Sequence, residues 1–67
     1  MKRMKLKLWR IERKLTQEQM AKDLETDLPR INQIELGKRD PNYKLLKKFK
    51  DVYKVDGVFE LFEKEGE

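Results

Sequence analysis

Apolar residues recur along this chain at intervals of three and four almost throughout, and no stretch alternates apolar and polar positions long enough to suggest a strand. The first periodic segment covers residues 4–13 and puts Leu6, Trp9, Arg10 and Arg13 on one helical face. A second opens at Thr16, whose hydroxyl suits an N-cap. Gln19, three residues on, completes a capping-box pattern, and Leu15 ahead of the cap can staple against Met20. Met20, Ala21 and Leu24 then form its buried stripe, with Ala21 small enough for a helix to cross closely.

Asp27 is the natural cap of a third helix that turns Ile31 and Ile34 inward and stops at Gly37. Proline disfavours helical backbone in the residue before it, so this helix is expected to start at Pro29 and to leave Leu28 on the turn. Asn42 can cap a fourth helix with Leu45, Leu46, Phe49, Val52 and Tyr53 as its apolar positions. Asp56-Gly57 then opens a short fifth carrying Val58, Phe59, Leu61 and Phe62. Five short helices joined by connections of two to five residues predict a compact all-α fold, read as one domain over 1–67. Within it, residues 16–36 form two short capped helices joined by a tight turn.

Composition removes several chemistries. The 67 residues include no cysteine and no histidine, which takes away disulfides, thiolates and the commonest metal ligands. No nucleophile–base pair or phosphate-cradling glycine loop is present, so no enzymatic activity and no cofactor are expected. No apolar run approaches a membrane span, and the lysine-rich start lacks the apolar stretch of a signal peptide; a cytoplasmic protein without a membrane partner is the expectation.

Charge adds direction. Residues 1–14 carry seven bases (Arg3 among them) against Glu12, and residues 38–50 carry six against Asp40. Residues 15–37 and 51–67 are net acidic. Two basic blocks around an acidic unit could hold the two phosphate strands of a duplex on either side of an inserted helix, or could simply be a solubilising surface.

Several of these features occur together in one family. Leu15-Thr16-Gln17-Glu18 opens the second helix, with Ala21 and Leu24 inside it; Ile31, Ile34 and Glu35 follow in the third; Gly37-Lys38-Arg39 and Pro41 close it before the apolar helix after Asn42. In this joint spacing the chain resembles the phage repressor and Cro-type (Xre-like) helix-turn-helix DNA-binding proteins over roughly residues 4–62. The resemblance implies a five-helix, lambda-repressor-like fold whose third helix reads the major groove. It implies base-reading positions at Leu28, Pro29, Arg30, Asn32 and Gln33, and a largely buried ion pair between Arg10 and Glu35 that ties the first helix to the third. The chain departs from the family at Lys14 and Glu25, where glycine is usual, and at Lys50, where a small apolar residue is usual.

The chemistry of these positions fits such a role. The carboxamides of Asn32 and Gln33 can pair with adenine, Arg30 with guanine or a phosphate, and Leu28 and Pro29 offer apolar contact such as to a thymine methyl. Gln17 at a helix N-terminus, and Lys38, Arg39, Tyr43 and Lys44 around the following loop, are the expected phosphate contacts. Members of this family usually bind two half-sites as dimers, so a homodimer joined through Val58, Phe59 or Phe62 is expected. The leading expectation is a small dimeric repressor of transcription bound to double-stranded DNA. The alternative is a protein-interaction module, such as an antitoxin or other partner-binding domain, which keeps the fold with weak or no base readout; the acidic central unit and the apolar Leu28-Pro29 tip motivate it.

Overall fold

The computed structural model describes residues 2–64 and contains five helices: α1 (Met4–Glu12), α2 (Gln17–Asp23), α3 (Leu28–Glu35), α4 (Tyr43–Tyr53) and α5 (Val58–Leu61), with no strand among the described residues. Three helices start on side-chain caps. The Thr16 hydroxyl accepts from the Gln19 amide at 3.0 Å, the Asp27 carboxylate from the Arg30 amide at 3.0 Å, and the Asn42 side-chain carbonyl from the Leu45 amide at 2.8 Å. Each satisfies one of the amides that the first turn leaves without a partner, worth about 1 kcal/mol. The capping box at Thr16 is only half made. Gln19 donates forward to Asp23 at 3.1 Å, a neighbour one turn on, in place of returning to the cap.

The start of α3 differs from the sequence expectation. Leu28 is its first residue and Pro29 its second. Amides in the first turn have no intrahelical acceptor, so the missing proline N–H costs no hydrogen bond there. The Asp27 cap on Arg30 closes the turn around both residues.

Three helices end in the same way. After α1, the Lys14 amide bonds the Ile11 carbonyl (2.9 Å) and the Leu15 amide the Arg10 carbonyl (3.1 Å). After α2, Glu25 bonds Lys22 (3.1 Å) and Thr26 bonds Ala21 (2.8 Å); after α3, Gly37 bonds Ile34 (3.1 Å) and Lys38 bonds Gln33 (2.9 Å). These are Schellman closures, which need a left-handed residue at the pivot. The pivots are Lys14 (φ 58), Glu25 (φ 57) and Gly37 (φ 78), so two of the three carry a side chain in backbone that favours glycine. Left-handed strain of about 1–2 kcal/mol is then set against the entropy, about 0.5–1 kcal/mol, that glycine loses on folding. Lys14→Gly and Glu25→Gly should each stabilise by about 0.5–1 kcal/mol, raising the thermal midpoint by several degrees in a chain of this size. Circular-dichroism melts check this, and a lowered midpoint in both variants would show that these turns store no strain.

Leu6, Met20, Ile34 and Phe49 are fully enclosed at the centre, with Trp9, Ala21, Leu24, Ile31 and Leu45 around them. Phe49 meets Trp9, Tyr53 and Phe62 at ring-centroid distances of 4.9, 4.9 and 5.0 Å, in tilted and edge-on arrangements that suit aromatic quadrupoles. Arg13 stacks over the outer side of Trp9 at 4.1 Å. The Tyr53 hydroxyl donates to Asp23 at 2.8 Å; its burial, and then that carboxylate, push its pKa far up, so it remains a donor. Val58 and Phe62 also belong to this core, which corrects their expected place at a dimer interface. Their spacing of four puts both on the inward side of the last turn, while Phe59 points away and is 68% exposed.

The buried residue that the sequence pattern did not single out is Arg3. Only 4% of it is exposed, and its guanidinium donates to the carbonyls of Phe62 (2.7 Å), Ile34 (2.8 Å) and Arg39 (3.1 Å) and to the Asp40 carboxylate (2.7 Å). Counting Arg3 with the N-terminal basic surface is therefore corrected: it is an interior bolt joining the chain's start to the end of α3, the loop after it and the end of α5.

Candidate nucleic-acid interface

Helix α3 rests on Ile31, Ile34 and Glu35, all buried. Helical spacing turns Pro29, Gln33 and Leu36 to the opposite side, and all three are exposed. Asn32 lies on the flank toward α2 and is exposed; Leu28, at the tip, is 43% exposed. Four of the five expected base-reading residues thus present accessible side chains along the outer side and tip of one helix.

Arg30 is placed differently. It is half-buried and lines the recess between α3 and the start of α4, where its Nε is enclosed and has no hydrogen-bond partner among the described residues. Its side chain leans toward α4, away from the flank that carries Asn32.

Behind the outer side runs a connected set of polar side chains. Arg10 Nε donates to Glu35 Oε2 at 2.6 Å and Nη2 to Oε1 at 3.2 Å, with the Glu35 side chain 4% and the Arg10 side chain 12% exposed. Arg10 Nη1 also binds the Leu15 carbonyl at 2.8 Å, fixing the turn that leads into α2. Gln17 donates to Glu35 Oε1 at 3.1 Å and accepts from Asn32 Nδ2 at 3.3 Å. The order is Arg10, Glu35, Gln17, Asn32, from interior to outer surface. Gln17, expected to face a phosphate, therefore spends its carboxamide on orienting Asn32.

Lys38, Arg39, Tyr43 and Lys44 all lie exposed on the connection from α3 to α4 and on its first residues. Three independent features hold that connection in place: the Schellman closure at Gly37, the Asn42 cap, and Arg3 reaching the Arg39 carbonyl and Asp40 from behind. Lys64 also reaches Asp40, at 3.2 Å. The cationic side chains thus project from a fixed backbone. Of the N-terminal bases, Arg3 and Arg10 are used internally and Lys5 lies 3.6 Å from Glu63. The acids Glu65 and Glu67 of the C-terminal block lie outside the described residues.

Arg3 is the supporting residue that sequence reasoning missed. Most of its acceptors are backbone carbonyls, which leave no signature in side-chain identity. Among the described residues no group of His, Cys, Asp or Glu is placed to hold a metal ion, and no helix is long and apolar enough to cross a membrane. A protein-family model described as Helix-turn-helix matches residues 6–59. No curated protein and no solved structure matches the chain.

Proposed function

Because the chain belongs to the Cro/C1-type helix-turn-helix family of DNA-binding transcription regulators, we propose that it is a sequence-specific, dimeric repressor that lays α3 in the major groove of double-stranded DNA. The observation that carries this reading is the arrangement of α3: seated on Ile31, Ile34 and Glu35, it leaves Leu28, Pro29, Asn32 and Gln33 accessible beside a pinned, cationic loop. Asn32 and Gln33 pair with adenine edges, and Leu28 and Pro29 supply apolar contact to thymine. Lys38, Arg39, Tyr43 and Lys44 bind phosphates and set the register. Asn32 arrives pre-oriented by Gln17, which lowers the ordering cost of its base contact.

One such unit reads few base pairs, so a second copy supplies the other half-site. Phe59 is the exposed aromatic on the short last helix, and it is the residue of the expected trio that stays available for that contact. The protein acts in the cytoplasm by occupying its operator. The apolar content of the outer side, with Leu28 at 43% and Leu36 at 37% exposed, favours a protein partner as the second reading.

Selection from random duplexes separates the two. The expected result is an inverted-repeat consensus with half-site centres about 34 Å apart, bound with an affinity that falls steeply with salt. Phe59→Lys should convert the protein to a monomer by sedimentation and abolish cooperative occupancy of the two halves. Recovery of no consensus would favour the protein-interaction reading, and absence of duplex binding at low salt would end the DNA-binding one.

A further inference from the structure

Between the turn after α2, the start of α3 and one side of α4 lies a recess of about 330 Å³. Four cationic side chains line it, Arg30, Lys44, Lys47 and Lys48, against two carboxylates, Glu25 and Asp51. Glu25 is already engaged by Lys48 at 3.4 Å, which leaves the other three cations facing Asp51 alone. The N-terminus of α4 borders the same space through Asn42, Lys44 and Leu45, and its dipole adds positive potential. Arg30 is the unusual member. A guanidinium normally finds acceptors for its N–H groups when enclosed, yet Arg30 Nε is enclosed with none among the described residues.

We propose that this recess is a seat for a phosphate group, with Arg30 as its principal ligand and Lys44 and Lys47 closing on it from α4. A modest turn of the Arg30 side chain into the recess would give Nε the acceptor it lacks, and a fork of guanidinium N–H groups matches two oxygens of a phosphate. The volume accommodates a phosphate together with several waters. The phosphate can come from the backbone of a bound duplex or from a free anion. The duplex source rests on the DNA-binding reading above; the free anion does not.

The test follows the Arg30 Nε–H resonance by NMR, and the thermal midpoint, while inorganic phosphate replaces chloride at constant ionic strength. In parallel, the resonance is followed as a non-specific duplex is added. In the native protein the resonance should move saturably, and phosphate should raise the midpoint, because a ligand that binds the folded state stabilises it. Arg30→Gln, which has no such resonance, should fold, since this side chain is only partly buried, and should show a weaker midpoint response to phosphate and weaker duplex binding; Lys44→Gln should weaken both responses. Loss of one charge-assisted contact should lower affinity for whichever phosphate source binds about tenfold. A response to duplex alone assigns the seat to backbone phosphate, and a response to inorganic phosphate alone assigns it to a free anion; both support the seat. No saturable movement with either, or an Arg30→Gln protein whose midpoint response to phosphate and affinity for duplex match the native ones, overturns it. A protein that binds no duplex but shows the phosphate response would overturn the DNA-binding reading and leave the seat standing.

Discussion

Arg3→Ala is expected to cost the protein much of its stability at room temperature. The substitution strands the carbonyls of Arg39 and Phe62 around the gap a guanidinium had filled, and leaves the Ile34 carbonyl with the Gly37 amide alone. Each unpartnered buried polar group costs on the order of 1–3 kcal/mol, so a loss of about 2–6 kcal/mol follows. A chain of this length has a total stability of roughly 3–10 kcal/mol, and the loss takes much of it. Arg3→Lys should recover only part, because a single ammonium cannot span acceptors on three segments. Urea unfolding of the variants measures the effect, and an Arg3→Ala midpoint near that of the native protein would refute it. Asp40, by contrast, is largely exposed, and Asp40→Asn should have a far smaller effect. The hydrogen bonds from Arg3 and Lys64 hold its carboxyl below the ordinary value of 3.8. The small stabilisation from this carboxylate is therefore present above that value and lost as pH falls through the lowered one.

The second large effect is at Glu35. Glu35→Ala leaves the guanidinium of Arg10 nearly enclosed without its counter-charge, which costs on the order of 3–5 kcal/mol. A double variant, Arg10→Met with Glu35→Leu, should be much closer to the native stability than Glu35→Ala, because neither side is left charged and alone. The two variants separate folding from readout. The double variant removes the acceptor that Gln17 uses, so Gln17 no longer holds Asn32. Selected duplex sites should then lose preference at the base that Asn32 meets and keep it at the one that Gln33 meets. Equal preference at both positions in a folded double variant would show that Asn32 needs no such support.

What could be read from the residues was mostly short-range. Thr16, Asp27 and Asn42 announce their helices because a cap acts on an amide three residues away, and the apolar stripes of α2 and α3 follow from helical spacing alone. The pair of Arg10 and Glu35 came from family resemblance, since nothing in local spacing links residues 25 apart. Arg3 was invisible: in a run of bases it looks like solvent-facing charge, and its carbonyl acceptors exist in every sequence. Resemblance gives Arg30 an outward role and a helix N-terminus gives one to Gln17, but their orientations depend on what α4 and α3 bring beside them. The inward turn of Val58 and Phe62 was within reach of a four-residue spacing argument. The placement of Leu28 in α3 was not, because the proline rule and the Asp27 cap oppose each other and only their relative strength decides.

The guanidinium of Arg3 finds its farthest acceptor 59 residues along the chain. During synthesis this side chain leaves the ribosome well before the Phe62 carbonyl that completes its set of partners, and must wait for it. A nascent chain halted before α5 has its cap-bearing helices but no closed interior. This domain therefore completes its fold only once α5 has been released, and a product truncated before α5 is a ready substrate for proteolysis.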